Sequence, residues 1–326
     1  MNHVVVYRKI QPKHLDLLRQ HCRVSYYPDV HDENRNEFFN DLQTADALLG
    51  AAMKITSEML DQAPNLRVVS NFSAGYDNLD LDLLTSRGII VTNAPDALTD
   101  TVADLYFASI LATARKVAEL DSLIRSGKWT NSIGEEQFGI DVHHRKIGII
   151  GLGRIGRAIA KRAALGFDMS VYYTKRNRDL EAEEKYRATH CEDLSELLKV
   201  SDFICITVPL TAETRHMISH HEFKLMKSTA IIVNGSRGPV IDEPALVQAL
   251  QNGEILGAGL DVFANEPLEA DSPLLTMKNV VLTPHIGSAT LATRSLMVEH
   301  GIENMFTALK GEKPPNILNE EVLIRK

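Results

Sequence analysis

The sequence predicts an α/β protein built on two parallel sheets, and three observations point to this class. Short apolar segments alternate with amphipathic ones over residues 4–94, the same alternation returns over residues 146–283, and a glycine-rich turn lies within the second run. Strands that alternate with helices form parallel sheets, because each helix supplies the crossover to the next strand. The chain of 326 residues is also too long for one ordinary core, so two doubly wound domains are expected.

The first run gives one element after another in regular order. Strands are predicted at 4–7, 24–26, 47–49, 66–69 and 89–91, where apolar and β-branched residues are concentrated. Helices are predicted near 12–21, 33–43, 56–63 and 80–87, where apolar residues recur with helical spacing.

A single long helix is predicted from about 101 to 126, because cap residues precede it and Gly127 follows it. The second run then supplies strands at 147–150, 169–173, 203–206, 230–233, 258–263 and 280–282. A last helix, about 289–310, ends at Gly311 and is expected to return to the first domain. The predicted domains are therefore residues 1–98 with 289–326, and residues 99–288.

Charge and hydropathy exclude several classes of partner. Thirty-five Lys and Arg against 43 Asp and Glu give a net charge of -8, which disfavours binding to a nucleic-acid backbone. No apolar stretch approaches the roughly 20 residues of a membrane span. The N-terminal segment 1–6 lacks the basic region and cleavage site of a signal peptide, so a cytoplasmic location is expected.

Cysteine and histidine usage predicts neither disulfides nor a metal site. Cys22, Cys191 and Cys205 are odd in number and widely spaced, which is typical of reduced thiols. The pairs at 143–144 and 220–221 have no partners at metal-binding spacing. No metal is expected.

The glycine-rich turn predicts a binding site for a dinucleotide. Gly151, Gly153 and Gly156 lie between an apolar strand and a helix that opens with Arg154 and Ile155. In such a turn the first glycine permits the tight bend, the second the approach of the pyrophosphate, and the third the close packing of helix on strand. The N-terminus of the helix supplies N–H donors and positive potential to the phosphates.

The end of the following strand indicates which dinucleotide binds. A site for NAD usually places an acidic residue there to accept hydrogen bonds from the ribose 2′-hydroxyl. Here the segment is Thr174, Lys175, Arg176, Asn177, Arg178, and its cations can pair with a 2′-phosphate. NADPH is therefore the predicted cofactor, with NADH as the weaker alternative.

Three reactive side chains follow successive strands of the second unit. Arg237 can hold a substrate carboxylate by two hydrogen bonds, and His285 can protonate a keto oxygen as a general acid. Glu266 can orient the imidazole and favour its charged form. The carboxyl ends of strands in such sheets are where ligands bind, so this set suits hydride transfer to a small 2-keto acid.

With these residues the chain resembles the D-isomer-specific 2-hydroxyacid dehydrogenases. The resemblance is carried by GLGRIG at 151–156, NGSRGPVID at 234–242, GLDVFANEP at 259–267 and TPHIGSAT at 283–290. It implies a Rossmann nucleotide-binding domain inserted in a flavodoxin-like substrate domain, a cleft between them and a homodimer. It further implies an NADPH-dependent reductase of glyoxylate and hydroxypyruvate, and also of 2-keto-D-gluconate.

The resemblance also assigns roles to residues that spacing alone does not single out. It places Asp261 at the nicotinamide amide, Thr101 beside the nicotinamide, and Thr207 with Pro209 near the adenosine side. It implies that loop 73–77 binds the substrate carboxylate through backbone N–H groups, with Ala74 and Gly75 at its centre. Trp129 or Phe138 could reach the partner subunit's site.

Two other functions are compatible with the sequence. One is an NAD-dependent phosphoglycerate dehydrogenase or another D-2-hydroxyacid dehydrogenase, although the acidic residue that favours NAD is missing. The other is a dinucleotide-sensing corepressor on the same fold, which binds partner peptides and can retain the catalytic set. Turnover of NADPH with a keto acid distinguishes an enzyme from a sensor.

Overall fold

The computed structural model describes residues 1–324, and the chain folds into two compact units. One unit comprises Met1–Leu98 and the segment that begins at Ser288, and the other comprises Thr99–Gly287. The second unit is thus inserted into the chain of the first. Ser288 belongs to the first unit, whereas the predicted boundary places it in the second. Its carbonyl accepts the N–H of Thr290, which leads into the last long helix, whereas the N–H of Gly287 is bound to Asp261.

The first unit contains a five-stranded parallel sheet. Its strands are β1 (His3–Val6), β2 (Arg23–Tyr26), β3 (Ala47–Gly50), β4 (Val68–Asn71) and β5 (Ile90–Thr92), and its helices are α1 (Pro12–His21), α2 (Arg35–Leu42), α3 (Ser57–Asp61), α4 (Leu81–Ser86), α12 (Leu291–Leu309) and α13 (Glu321–Ile324). The strand order β2-β1-β3-β4-β5 is that of the flavodoxin-like folds.

Helices cover both faces of this sheet, which explains why its strands are almost continuously apolar. Val4 and Val6 of β1 face one cluster, which also holds Leu18 of α1 and Ile302 of α12. Val5 faces the opposite cluster with side chains of α2, α3 and α4. Because α12 fills one face, the first unit needs both ends of the chain to complete its core.

The second unit contains a seven-stranded parallel sheet. Its strands are β6 (Lys146–Ile150), β7 (Ser170–Thr174), β8 (Thr189–His190), β9 (Phe203–Ile206), β10 (Ile231–Asn234), β11 (Gly257–Leu260) and β12 (Val280–Leu282), and its helices are α5 (Thr99–Ala114), α6 (Val117–Arg125), α7 (Arg154–Phe167), α8 (Leu180–Tyr186), α9 (Leu194–Val200), α10 (His220–Leu225) and α11 (Glu243–Gln251). The order β12-β11-β10-β9-β6-β7-β8 extends the Rossmann order 3-2-1-4-5-6 by one strand. The predicted fold class is confirmed.

One predicted element is wrong: the helix over 101–126 is two helices, α5 and α6. Lys116 separates them in a left-handed conformation with a φ of 53°, and its Nζ donates to the carbonyl of Glu136 at 2.6 Å. Glycine is the usual residue in this conformation, so a lysine gave no sign of the break.

Within residues 1–324 no helix is long and apolar enough to cross a membrane. Cys22, Cys191 and Cys205 are free and buried. Cys205 lies within β9, where burial raises the pKa of its thiol, as suits a residue of the core.

Candidate active site

The turn between β6 and α7 has the backbone that each predicted glycine role requires. Gly151 has a φ of 91°, and a Cβ at Gly156 would lie 2.5 Å from the carbonyl oxygen of Gly151. A Cβ at Gly153, by contrast, would meet no atom within 4 Å. Open space at the second glycine, beside the first turn of α7, fits the pyrophosphate of a dinucleotide.

Thr207 fixes this turn from the neighbouring strand. It follows β9, and its hydroxyl donates to the carbonyl oxygens of Ile150 and Gly151. Pro209 lies two residues on, and its carbonyl accepts the hydroxyl of Thr214 at 2.6 Å. Thr207 is thus placed directly at the glycine turn, while Thr101 lies in the first turn of α5.

The loop after β7 contains a buried carboxylate that the sequence reasoning overlooked. Asp179 accepts hydrogen bonds from Arg157 Nε at 2.8 Å, Lys175 Nζ at 3.2 Å and the N–H of Ala182 at 3.2 Å. Burial opposes its ionisation, but these bonds outweigh burial and lower the pKa of Asp179. Since its oxygens are occupied and its side chain is 1% exposed, Asp179 is not placed to accept a ribose hydroxyl.

The three predicted cations of this loop differ in whether they already form ion pairs. Lys175 is held by Asp179, and Arg178 Nε donates to Glu183 at 3.0 Å. Arg176 is exposed and makes no hydrogen bond or ion pair to any residue of the 1–324 range. Its charge contributes to lowering the pKa of Glu213. Arg176 is therefore the cation of this loop that can meet a phosphate without breaking an existing ion pair.

Arg237 follows β10 in a segment that Asn234 holds. The buried Asn234 donates from Nδ2 to the Arg237 carbonyl at 2.9 Å and accepts the N–H and the hydroxyl of Ser236. A Cβ at Gly238 would lie 1.8 Å from the carbonyl oxygen of Phe263, so the backbone after Arg237 is packed against the segment after β11. Asn234 was not predicted as a site residue, although its position at the strand end was a usable signal.

His285 and Glu266 are in direct contact. His285 Nδ1 lies 2.7 Å from Glu266 Oε2, and Glu266 Oε1 accepts the N–H of Phe263 at 3.2 Å. An ionised carboxylate only accepts hydrogen bonds, so Nδ1 carries the proton of this bond. The His285 side chain is 49% exposed, and Nε2 remains available to exchange a proton with a substrate.

Asp261 holds the segment that carries His285. Its buried carboxylate accepts the Thr283 hydroxyl at 2.6 Å and the N–H groups of Ile286 and Gly287 at 2.8 Å each. Its carbonyl also accepts the N–H of His285 at 3.0 Å. The structure thus gives Asp261 a supporting role in addition to the nicotinamide contact that the family resemblance implies.

Loop 73–77 of the first unit turns its carbonyls inward. Asn71 Nδ2 donates to the Gly75 carbonyl at 2.9 Å, and Asn93 Nδ2 donates to the Ala74 carbonyl at 2.8 Å. The N–H groups of Ala74 and Gly75 find no acceptor within residues 1–324. Two N–H groups left open in one loop are suited to an anion.

Comparison with known proteins gives concordant matches. Residues 107–287 match the family described as D-isomer specific 2-hydroxyacid dehydrogenase, NAD binding domain. The chain is 48% identical over 321 residues to glyoxylate/hydroxypyruvate reductase B of Yersinia pestis (strain Pestoides F), covering 98% of each chain. Among solved structures, a protein from Thermus thermophilus is 38% identical with a TM-score of 0.88, covering 97% of this chain and 99% of that one. The NADPH-dependent glyoxylate/hydroxypyruvate reductase of Sinorhizobium meliloti, in complex with NADP and malonate, is 30% identical with a TM-score of 0.85, covering 98% and 97%.

Proposed function

Since the chain belongs to the D-isomer specific 2-hydroxyacid dehydrogenase family, we propose that it is an NADPH-dependent reductase of small 2-keto acids. Glyoxylate and hydroxypyruvate are the proposed substrates, in line with the names of the Yersinia and Sinorhizobium relatives. 2-Keto-D-gluconate is proposed as a third. The products are glycolate, D-glycerate and D-gluconate.

The contact between His285 Nδ1 and Glu266 Oε2 at 2.7 Å is the observation that carries this proposal. Glu266 retains the proton on Nδ1, so the proton that the imidazolium can release is the one on Nε2. Nε2 donates this proton to the keto oxygen while the carbonyl carbon is reduced. Arg237 binds the carboxylate of the keto acid and orients its carbonyl, because a guanidinium matches a carboxylate with two parallel hydrogen bonds.

A nicotinamide dinucleotide, when bound at the glycine turn, supplies the hydride that reduces the substrate. Gly151, Gly153 and Gly156 would hold its pyrophosphate, with the N-terminal residues Arg154 and Ile155 of α7. Thr174 and the cations at 175 and 176 would border its ribose, and Arg176 is the one we assign to the 2′-phosphate. Thr207, Pro209, Thr101 and Asp261 complete the proposed cofactor site.

Loop 73–77 is proposed to take part in binding the substrate carboxylate. The unpaired N–H groups of Ala74 and Gly75 support this assignment. The hydrogen bonds from Asn71 and Asn93 fix the loop, so little ordering is needed when the anion binds.

We also propose that the protein is a homodimer through a surface of the second unit formed by α6 and residues 128–140. Helix α6 has no buried residue, and Trp129 and Phe138 are 60% and 56% exposed. Large exposed aromatic side chains are enriched at protein interfaces. Light scattering at micromolar concentration should give twice the mass of the chain, and a monomer would contradict the proposal.

A cytoplasmic location is proposed as well. Three free, buried cysteines suit a reducing compartment, and expression of a fluorescent fusion followed by fractionation would test the location.

The experiment that tests the proposed reaction is steady-state oxidation of NADPH, with NADH in parallel. Glyoxylate, hydroxypyruvate, 2-keto-D-gluconate and 3-phosphohydroxypyruvate are the substrates to compare. Rapid NADPH-linked turnover of the first three is the expected result. Turnover limited to NADH or to the phosphorylated acid would overturn the cofactor or substrate assignment, and binding of NADPH without turnover would favour a sensor.

A further inference from the structure

The hydroxyl of Tyr106 interrupts the hydrogen-bond ladder of the second sheet where the segment of Arg237 begins. Strands β9 and β10 are parallel, with Ile231 paired to Phe203 and Asn234 paired to Ile206. The N–H of Ile231 donates to the carbonyl of Asp202. In a parallel ladder this pattern repeats every second residue, so the next bonds run from residue 233 to 204 and from Gly235 to Ile206.

The last of these bonds is replaced by two bonds to Tyr106. The N–H of Gly235 donates to Tyr106 Oη at 3.0 Å, and Tyr106 Oη donates to the carbonyl of Ile206. The ladders on either side continue normally: the N–H of Thr207 donates to Ile150, and that of Asp261 to Asn234. The interruption is thus confined to the carboxyl ends of β9 and β10.

Burial and packing fix Tyr106 beside the ends of β9 and β10. It lies in α5 with 1% of its surface exposed, and burial raises the pKa of its phenol, so the hydroxyl keeps its proton and can donate. A Cβ at Gly235 would lie 2.9 Å from the ring of Tyr106. The absence of a side chain at residue 235 therefore makes room for the tyrosine ring.

We propose that Tyr106 is a positioning residue for Arg237, which acts by holding the ends of β9 and β10 apart. The hydroxyl lies between the Gly235 N–H and the Ile206 carbonyl, so these two groups are farther apart than they would be in a direct hydrogen bond. The backbone from Gly235 to Arg237 therefore diverges from β9 instead of continuing the ladder. Asn234 then fixes the far end of this path through the Arg237 carbonyl. This inference rests on the proposed function, in which Arg237 binds the keto acid.

The variant Tyr106→Phe keeps the ring and removes the hydroxyl. We expect the KM for glyoxylate or hydroxypyruvate to rise about tenfold, as for the loss of a buried hydrogen bond that orients a charged group, while the Kd of NADPH changes by less than about twofold. In an Arg237→Lys background, Tyr106→Phe should add little, because the guanidinium that it positions is already gone. Tyr27→Phe is the matched control: it loses a partly buried hydroxyl bond of 2.6 Å to Asp41 in the first unit, and its KM values should stay at the wild-type level.

A second variant guards against misfolding of the first. Gly235→Ala keeps the hydroxyl but pushes the ring away from the strand ends, and it should raise the same KM. Unchanged keto-acid KM values in both variants would overturn the proposal. It would also be overturned if Tyr106→Phe raised the KM by the same factor in the Arg237→Lys background as in the wild type. If the wild type reduces none of the keto acids, the proposed function fails, and crystal structures of wild type and Tyr106→Phe decide this inference alone: a displaced Arg237 supports it and a superimposable Arg237 refutes it.

Discussion

The imidazole of His285 is oriented by its own backbone as much as by Glu266. His285 has a φ of 52°, which is uncommon for a residue other than glycine. Its N–H donates to the carbonyls of Asp261 and Thr283 at 3.0 Å each, and Asp261 binds the next two N–H groups. Local strain of this kind persists where the surroundings fix the conformation, and it is common at functional sites.

Replacement of His285 by asparagine removes the imidazole but keeps a residue that tolerates a positive φ. The rate of keto-acid reduction should fall by about 10²–10⁴, the usual contribution of a general acid, while NADPH binding is retained. Steady-state kinetics and fluorescence titration would measure the two effects. His216→Asn is the control, because His216 has a φ of 53° but no place in the proposed site. A variant at 285 that turns over at the wild-type rate would remove the acid assignment.

Arg176 should determine the preference for NADPH. Hydrogen bonds to charged groups contribute about 1.5–3 kcal/mol, so Arg176→Ala should raise the KM for NADPH by roughly 10–100-fold and leave that for NADH nearly unchanged. The ratio of the two kcat/KM values is the measurement. Arg178→Ala serves as the comparison, because Arg178 is already paired with Glu183 and should affect NADPH much less. Equal losses with both cofactors would show that Arg176 does not bind the 2′-phosphate.

The sequence indicates candidate reactive residues, but it does not indicate most of the residues that fix the surrounding loops. Arg237, Glu266 and His285 were singled out because each follows a strand, and the structure brings the last two into contact. Asp179 and Asn71 owe their importance to partners fixed only by the fold: Asp179 binds Arg157, 22 positions away in sequence, and Asn71 binds the Gly75 carbonyl.

Helix α7 contains two glycines with opposite surroundings. A Cβ at Gly156 would lie 2.5 Å from the Gly151 carbonyl, whereas one at Gly166 would meet no atom within 4 Å. Gly166→Ala should therefore stabilise the protein by about 0.5–1 kcal/mol, the difference in helix propensity, and raise the thermal midpoint. Gly156→Ala should lower the midpoint and weaken NADPH binding. Similar midpoints for the two variants would contradict the packing role of Gly156.

A substitution at Gly153 should weaken cofactor binding without changing stability. Gly153 has a φ of -88°, which is open to any residue, and its Cβ direction is empty, so Gly153→Ala should leave the thermal midpoint of the apoprotein unchanged. A methyl group there would occupy the space assigned to the pyrophosphate, and the Kd of NADPH should rise at least tenfold. Calorimetric titration measures this affinity, with Gly166→Ala as the variant that should bind normally. Wild-type affinity in Gly153→Ala would place the pyrophosphate elsewhere.

Secondary structure was predictable where the pattern is periodic and failed where one residue breaks it. Strands β9 and β12 have the predicted bounds, and most others agree within about two residues, because a buried parallel strand needs a continuous apolar run. The exceptions are β11, which ends three residues before the predicted bound, and the two-residue β8, which was not predicted. The break between α5 and α6 depends on the left-handed conformation of Lys116, which its side chain does not favour. Tertiary contacts such as its bond to Glu136 decide such positions.

The two ends of the chain meet in the first unit, because α12 completes the core to which α1 contributes. Glu299 of α12 joins these two helices. It accepts hydrogen bonds from Lys13 Nζ at 3.0 Å, Ser295 Oγ at 2.9 Å and His14 Nε2 at 3.3 Å. The bond from Lys13, followed by those from Ser295 and His14, lowers the pKa of Glu299 to about 2.

This lowered pKa predicts how stability depends on pH. The ordinary value is 4.5, so the stabilisation by ionised Glu299 is fully present above about pH 4.5 and is lost as the pH falls toward about 2. The side chain is 44% exposed, and screening reduces the contribution to about 1 kcal/mol. Glu299→Gln should accordingly lower the thermal midpoint at pH 7, and the gap to wild type should close as the pH approaches 2.5. Glu303→Gln, an exposed carboxylate later in α12 without an ion pair among residues 1–324, should show no such gap. A difference between Glu299→Gln and wild type that stays constant from pH 7 to 2.5 would mean that the ionised carboxylate does not hold the last long helix to the first.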